Sequence, residues 1–147
     1  MAPAIRVKAL ALIARPEDGA LLVFEGDNSS GGRFARPLGG SVEFGESALH
    51  AVHRELREEL GCGLTAVSLA AVLENRFMLD GVAGHEIDFV FRARLRDPSL
   101  HARESIPVLD VPGQDAVWWS PRTHRSRLVP DGLGDLVATG YDGDMTS

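Results

Sequence analysis

The order of elements written into this chain predicts an α/β protein in which a mixed β-sheet lies between helices. Three observations predict it. Aliphatic runs from Ile5 to Ala14 and from Ala20 to Glu25 flank the turn-forming Pro16-Glu17-Asp18-Gly19. The stretch from Ser47 to Leu60 repeats Leu49, Val52, Leu56 and Leu60 at steps of three and four, the period of an amphipathic helix. The run from Glu86 to Leu95 partly alternates apolar and polar residues, as a half-buried strand does. Hairpin, helix, hairpin, strand and terminal helix in that order supply helices to both faces of one sheet. With 147 residues and 44% hydrophobic content the chain has the size of one domain with a real core, so residues 1–147 read as a single domain.

Each element has a local reason. The first two aliphatic runs are expected to pair as a hairpin across Pro16 to Gly19. Asp27 to Gly32, with Asn28, two serines and two glycines, reads as a flexible loop. A short strand from Arg33 to Leu38 delivers the chain to Gly39-Gly40, where a reversal is expected, and Gly45 permits a second bend before the helix. Gly61 ends that helix. A strand through Val72 to Phe77, a turn within Leu79 to Gly84 and the strand from Glu86 to Leu95 form the second hairpin. Pro98 to Asp115 holds Pro107, Pro112 and Gly113 and is expected to be a long loop. Ala116 to Ser120 is a strand carrying Trp118 and Trp119 on opposite faces, one of them expected in the core. A weak helix occupies part of Pro130 to Ala138, and the tail from Thr139 is expected to be flexible.

The helix carries chemistry on its polar side. Glu55, Glu58 and Glu59 stand at i, i+3 and i+4, so three carboxylates converge on one patch with only Arg54 and Arg57 to relieve them. A solvated Arg54–Glu58 ion pair is the plain alternative. The glycines on either side and Glu46 in the preceding loop favour a bound cation, and hard oxygen ligands select magnesium or manganese.

The full spacing is Gly40, five residues, Glu46, seven residues, Arg54-Glu55-Leu56, one residue, Glu58-Glu59, one residue, Gly61-Cys62. It resembles the box of the Nudix hydrolases, and the resemblance extends over about residues 5–138. It implies an α/β/α sandwich and divalent-metal hydrolysis of a nucleoside diphosphate linked to another moiety. It also implies that Glu58 and Glu59 hold metal and that Glu55 is a further ligand or the base. The carbonyl of Gly39 is implied as a ligand, and Arg54 as the residue that orients a catalytic glutamate, with Glu46 as its partner. The box prefers an aliphatic residue where this chain has Cys62, and a thiol packs as a small apolar group. Pro37 precedes Leu38-Gly39-Gly40, one place earlier than the family's usual proline.

Diphosphate hydrolysis needs an activated water, a cation on the phosphate oxygens and positive charge at the leaving group. Glu55 is the first choice for the base, and Glu86, in Gly84-His85-Glu86, is its rival. Arg36 beside the double glycine and Arg76 beside Phe77 are candidates to hold phosphate, while Phe77 and Trp118 are candidates to meet the rest of the substrate. The chain shows none of the tags that mark Nudix subfamilies for ADP-ribose, dinucleoside polyphosphates, NADH or coenzyme A. A nucleoside diphosphate derivative or a nucleoside triphosphate is therefore the expected substrate. Some Nudix-like domains are sensors that bind nucleotides without turnover, but those usually lack a box glutamate, and this chain keeps them all.

A net charge of −6, Lys8 as the sole lysine and no basic run argue against nucleic acid as a partner. One cysteine excludes an internal disulfide and fits a reducing, cytoplasmic setting. The N-terminal apolar run is broken by Arg6 and Lys8 and is too short to span a bilayer, so no membrane association is expected. A homodimer is implied by the resemblance alone.

Overall fold

A computed structural model describes residues 3–27 and 32–137. Its strands are β1 (Arg6–Ile13), β2 (Leu21–Asp27), β3 (Arg33–Ser41), β4 (Leu64–Leu79), β5 (Val82–Leu95), β6 (Ser105–Pro107), β7 (Asp115–Trp119) and β8 (Arg127–Leu128). Helix α1 spans Ala48–Leu60, a 3-10 turn spans Pro98–Ala102, and residues 133–137 are helical. The sheet order is β4-β5-β1-β3-β2-β7-β6, with β8 against β3. The β1–β5 and β3–β8 pairs are parallel and the others antiparallel, so the sheet is mixed.

The first expected hairpin does not form as a ladder. Chain turns back at Gly19, whose amide donates to Arg15 O, but β1 and β2 share only the Ala14–Leu21 bridge. Strand β3 enters between them, pairing with β2 over residues 33–37 and with β1 over residues 38–41. The double glycine accordingly lies inside a strand, and the expected reversal there is corrected. Gly39 faces Leu10 and Gly40 faces Ala9 across the ladder. The chain bends later, at Gly45, where φ is 83°.

Helix α1 starts at Ser47, whose hydroxyl accepts from His50 N at 3.0 Å, and stops at Gly61, left-handed at φ 66° with its amide on Arg57 O. Its buried stripe is Ala51, Val52, Leu56 and Glu59, whereas Leu49 is exposed. On this face of the sheet Val52 and Leu56 pack with Ala9, Ala11, Leu22, Phe24 and Leu38. On the other face Leu12, Val23, Ala35, Val90 and Trp119 pack with Leu133, and Leu136 and Val137 join them. A sheet covered on both faces is the expected sandwich.

The second hairpin is longer than its sequence cues. Asp80 and Gly81, both at positive φ, make a two-residue turn between strands of 16 and 14 residues. The segment expected as a long loop contains the 3-10 turn and edge strand β6. Both tryptophans are buried, on opposite faces. The loop at residues 28–31 and the C-terminal tail lie outside the described residues. No helix among the described residues is long and apolar enough to cross a membrane.

Candidate active site

Strand β3 and helix α1 build the site together. The amide of Gly39 donates to Glu59 Oε1 at 3.0 Å, drawing a carboxylate that is only 6% exposed onto the strand. A side chain at Gly40 would strike the carboxyl group of Glu55, so the bare backbone there is what lets Glu55 lie flat on the strand. Burial, then the nearby charges of Glu55 and Asp110, push the Glu59 carboxyl up to about 8 against the opposing pull of Arg36 and the Gly39 amide.

Arg54 organises the exposed side. Its Nε and Nη2 donate to the two oxygens of Glu46 at 2.7 and 2.9 Å, a bidentate pair. Nη1 reaches Glu55 at 3.0 Å and Glu58 at 3.3 Å, and Nη2 also donates to the Ser41 carbonyl at 3.0 Å. Glu46 accepts further from Glu43 N and sits 2.7 Å from His50 Nδ1. Arg54 thereby holds the Glu46 carboxyl far below the usual carboxylate range, and Glu46 in turn raises the guanidinium further. The plain Arg54–Glu58 contact is present as well, as one arm of a larger network.

Glu55 and Glu58 meet a third acid that the sequence reading missed. Ligand oxygens of Glu55, Glu58 and Asp110 lie within 4.8 Å of one another. Asp110 stands between β6 and β7, and its loop is fastened to the end of α1 by Leu109 N donating to Glu59 O at 2.8 Å. Nothing periodic in Val108 to Val111 signals this; only the long-range contact does. Three clustered carboxylates beside a buried fourth form an oxygen-donor set suited to a hard divalent cation.

The remaining candidates separate. By strand alternation Glu86 shares the face of Val90, whereas Phe89 and Phe91 pack on the α1 side. Glu86 is thus not among the grouped acids. Its neighbour two places on, Asp88, is fully buried and neither carboxyl oxygen meets a donor. Two carboxylates can bond only if one holds the proton. Burial and then Glu86 push the Asp88 carboxyl up, while Arg36 and Lys8 pull it down. Arg36 therefore acts electrostatically on both Glu59 and Asp88. Arg76 and Phe77 lie on edge strand β4, paired with His85 and Gly84. Trp118 is 6% exposed, with Arg15 over its ring at 5.2 Å and His101 edge-on at 5.7 Å.

A sandwich whose glycine-bearing strand is clamped to an acidic helix defines a class of protein, and the comparisons name it. The NUDIX domain model matches residues 4–131. The chain belongs to the Nudix family. A MutT NUDIX hydrolase from Burkholderia pseudomallei superimposes with a TM-score of 0.65 at 23% identity, covering 92% of this chain and 97% of that one. The E. coli ORF135 protein aligns at 26% identity and TM-score 0.54, covering 95% and 91%. An ADP-ribose pyrophosphatase from Streptococcus suis aligns at 15% identity and TM-score 0.59, covering 96% and 92%.

Proposed function

We propose that this protein hydrolyses the phosphoric anhydride linkage of a nucleoside diphosphate derivative or a nucleoside triphosphate, with magnesium or manganese as cofactor, in the cytoplasm. The carrying observation is the convergence of Glu55, Glu58 and Asp110 within 4.8 Å beside Glu59, a buried acid fixed by the Gly39 amide. Glu55, Glu58 and Glu59, with Asp110 and the Gly39 carbonyl, are the groups that hold the metal in this reading. A divalent cation there supplies Lewis acidity to phosphate oxygens and an acidified water.

The protein's own groups do the rest. Glu46 fixes Arg54, and Arg54 keeps Glu55 and Glu58 oriented without occupying all their oxygens. Glu55 receives the proton of the attacking water. Arg36 supplies positive charge toward the phosphates. The related structures carry names as different as MutT hydrolase and ADP-ribose pyrophosphatase, which supports the anhydride bond in general and no single leaving group.

The test is product release from nucleoside triphosphates, nucleotide sugars, ADP-ribose and dinucleoside polyphosphates, with magnesium, manganese or chelator, for the natural chain and Glu58→Gln. Metal-dependent release lost in Glu58→Gln is expected. Undiminished turnover in chelator would remove the cofactor from the reading.

A further inference from the structure

Strand β4 is an open edge: among the described residues it pairs with β5 alone. That edge is apolar over a long stretch, with Val72, Phe77, Met78 and Leu79 exposed and Val82 exposed just beyond the turn. Soluble proteins ordinarily break such edges with proline, charge or bulges, because unpaired N–H and C=O groups template the addition of another strand. Here the last bulge falls between Leu69 and Ala71, and the turn begins at Asp80. Ala71 to Leu79 therefore runs in unbroken register, with no proline and only two charges, Glu74 and Arg76.

We infer that the protein forms a two-fold homodimer by antiparallel pairing of β4 with β4 of a second copy, centred on Asn75. A two-fold axis perpendicular to a sheet sets residues of the same face opposite one another, so the centre must fall on a residue. Centring on Asn75 sets Glu74 opposite Arg76 of the second copy, and symmetry repeats the pair. The same register sets Leu73 opposite Phe77, Val72 opposite Met78 and Ala71 opposite Leu79, each apolar on apolar. Moving the centre by one residue sets Glu74 against Glu74 or Arg76 against Arg76, and like charges directly opposite destabilise a sheet. Asn75 is also the midpoint of the bulge-free segment, so the register chosen by charge is the one that pairs its whole length. His85 Nε2 lies 3.0 Å from Glu74 Oε2, which steadies that carboxylate on the strand. The cross-strand neighbour of Asn75 on β5 is Glu86, so the axis passes one strand from that residue.

Sedimentation velocity over a dilution series tests this with Glu74→Arg, Arg76→Glu and the double exchange, each checked for folding by circular dichroism. The natural chain is expected to dimerise, each single change to weaken dimerisation by roughly tenfold or more, and the double exchange to restore it by re-forming the pairs in reverse. A monomeric natural chain, single variants that dimerise normally, or a double exchange as weak as the singles would each overturn the interface.

Discussion

The amide of Gly39 donates to the Glu59 carboxylate across 3.0 Å, so one hydrogen bond ties the central strand to the buried acid of the helix. In the metal-free protein that acid is raised above its unfolded value of 4.5 to about 8, chiefly by burial. A raised carboxyl contributes stability below the unfolded value, and the contribution is lost as pH rises through the folded one. Metal binding requires the ionised form and must expel the proton. The stabilisation given by manganese is therefore expected to grow from about pH 5 to about pH 8, read as the shift in Tm on adding the ion. Glu59→Gln should flatten that dependence, and a natural chain whose Tm shift is pH-independent would contradict it.

The two glycines of β3 predict different losses. Gly39 has φ 143°, and a Cβ there would collide with the backbone carbonyl of Ala9 on the adjoining strand, which cannot swing away. Gly39→Ala is expected to cost about 3 kcal/mol, a fall of roughly 10 °C in Tm. At Gly40 the obstacle is the Glu55 carboxyl, the end of a movable side chain. Gly40→Ala should keep most of the stability and lose turnover by displacing Glu55. Equal Tm values for the two variants would refute the distinction.

What the sequence disclosed and what it hid divide by the range of the forces. The ends of α1 were readable because Ser47 and Gly61 act on the nearest turn of backbone, and the β4–β5 turn because Asp80-Gly81 suits positive φ. The box acids were readable because helical spacing alone brings Glu55 and Glu58 to one side. The β1–β2 hairpin was misread because pairing is settled by competition, and β3 outcompetes the near neighbour for both strands. Asp110 was invisible because its place depends on a bond between Leu109 and Glu59, fifty residues apart in sequence. The packing of Arg15 and His101 against Trp118 was hidden too, because no local pattern joins those residues.

Asp110 carries a prediction of its own. Its carboxylate completes the grouped acids, while its loop is held by the backbone of Leu109 and not by its side chain. Asp110→Asn is expected to leave Tm without metal nearly unchanged and to weaken manganese binding by at least about tenfold, measured by titration calorimetry. Unaltered affinity would return the site to the helix acids alone.

Asp88 should reveal itself in stability before activity. It is fully buried, no donor meets either oxygen, and burial followed by the Glu86 charge lifts it from 3.8 to about 7. The unfolded chain ionises first as pH rises, so this group's contribution to stability is whole below about pH 4 and lost as pH passes through about 7. An asparagine has nearly the same shape, never ionises, and offers Glu86 a permanent donor. Asp88→Asn is therefore expected to raise the urea midpoint above pH 7 and to change it little near pH 4. If the two midpoints shifted equally, ionisation of Asp88 would not be what limits stability, and Lys8 or Arg36 would have to neutralise it more closely than the distribution of buried charge indicates.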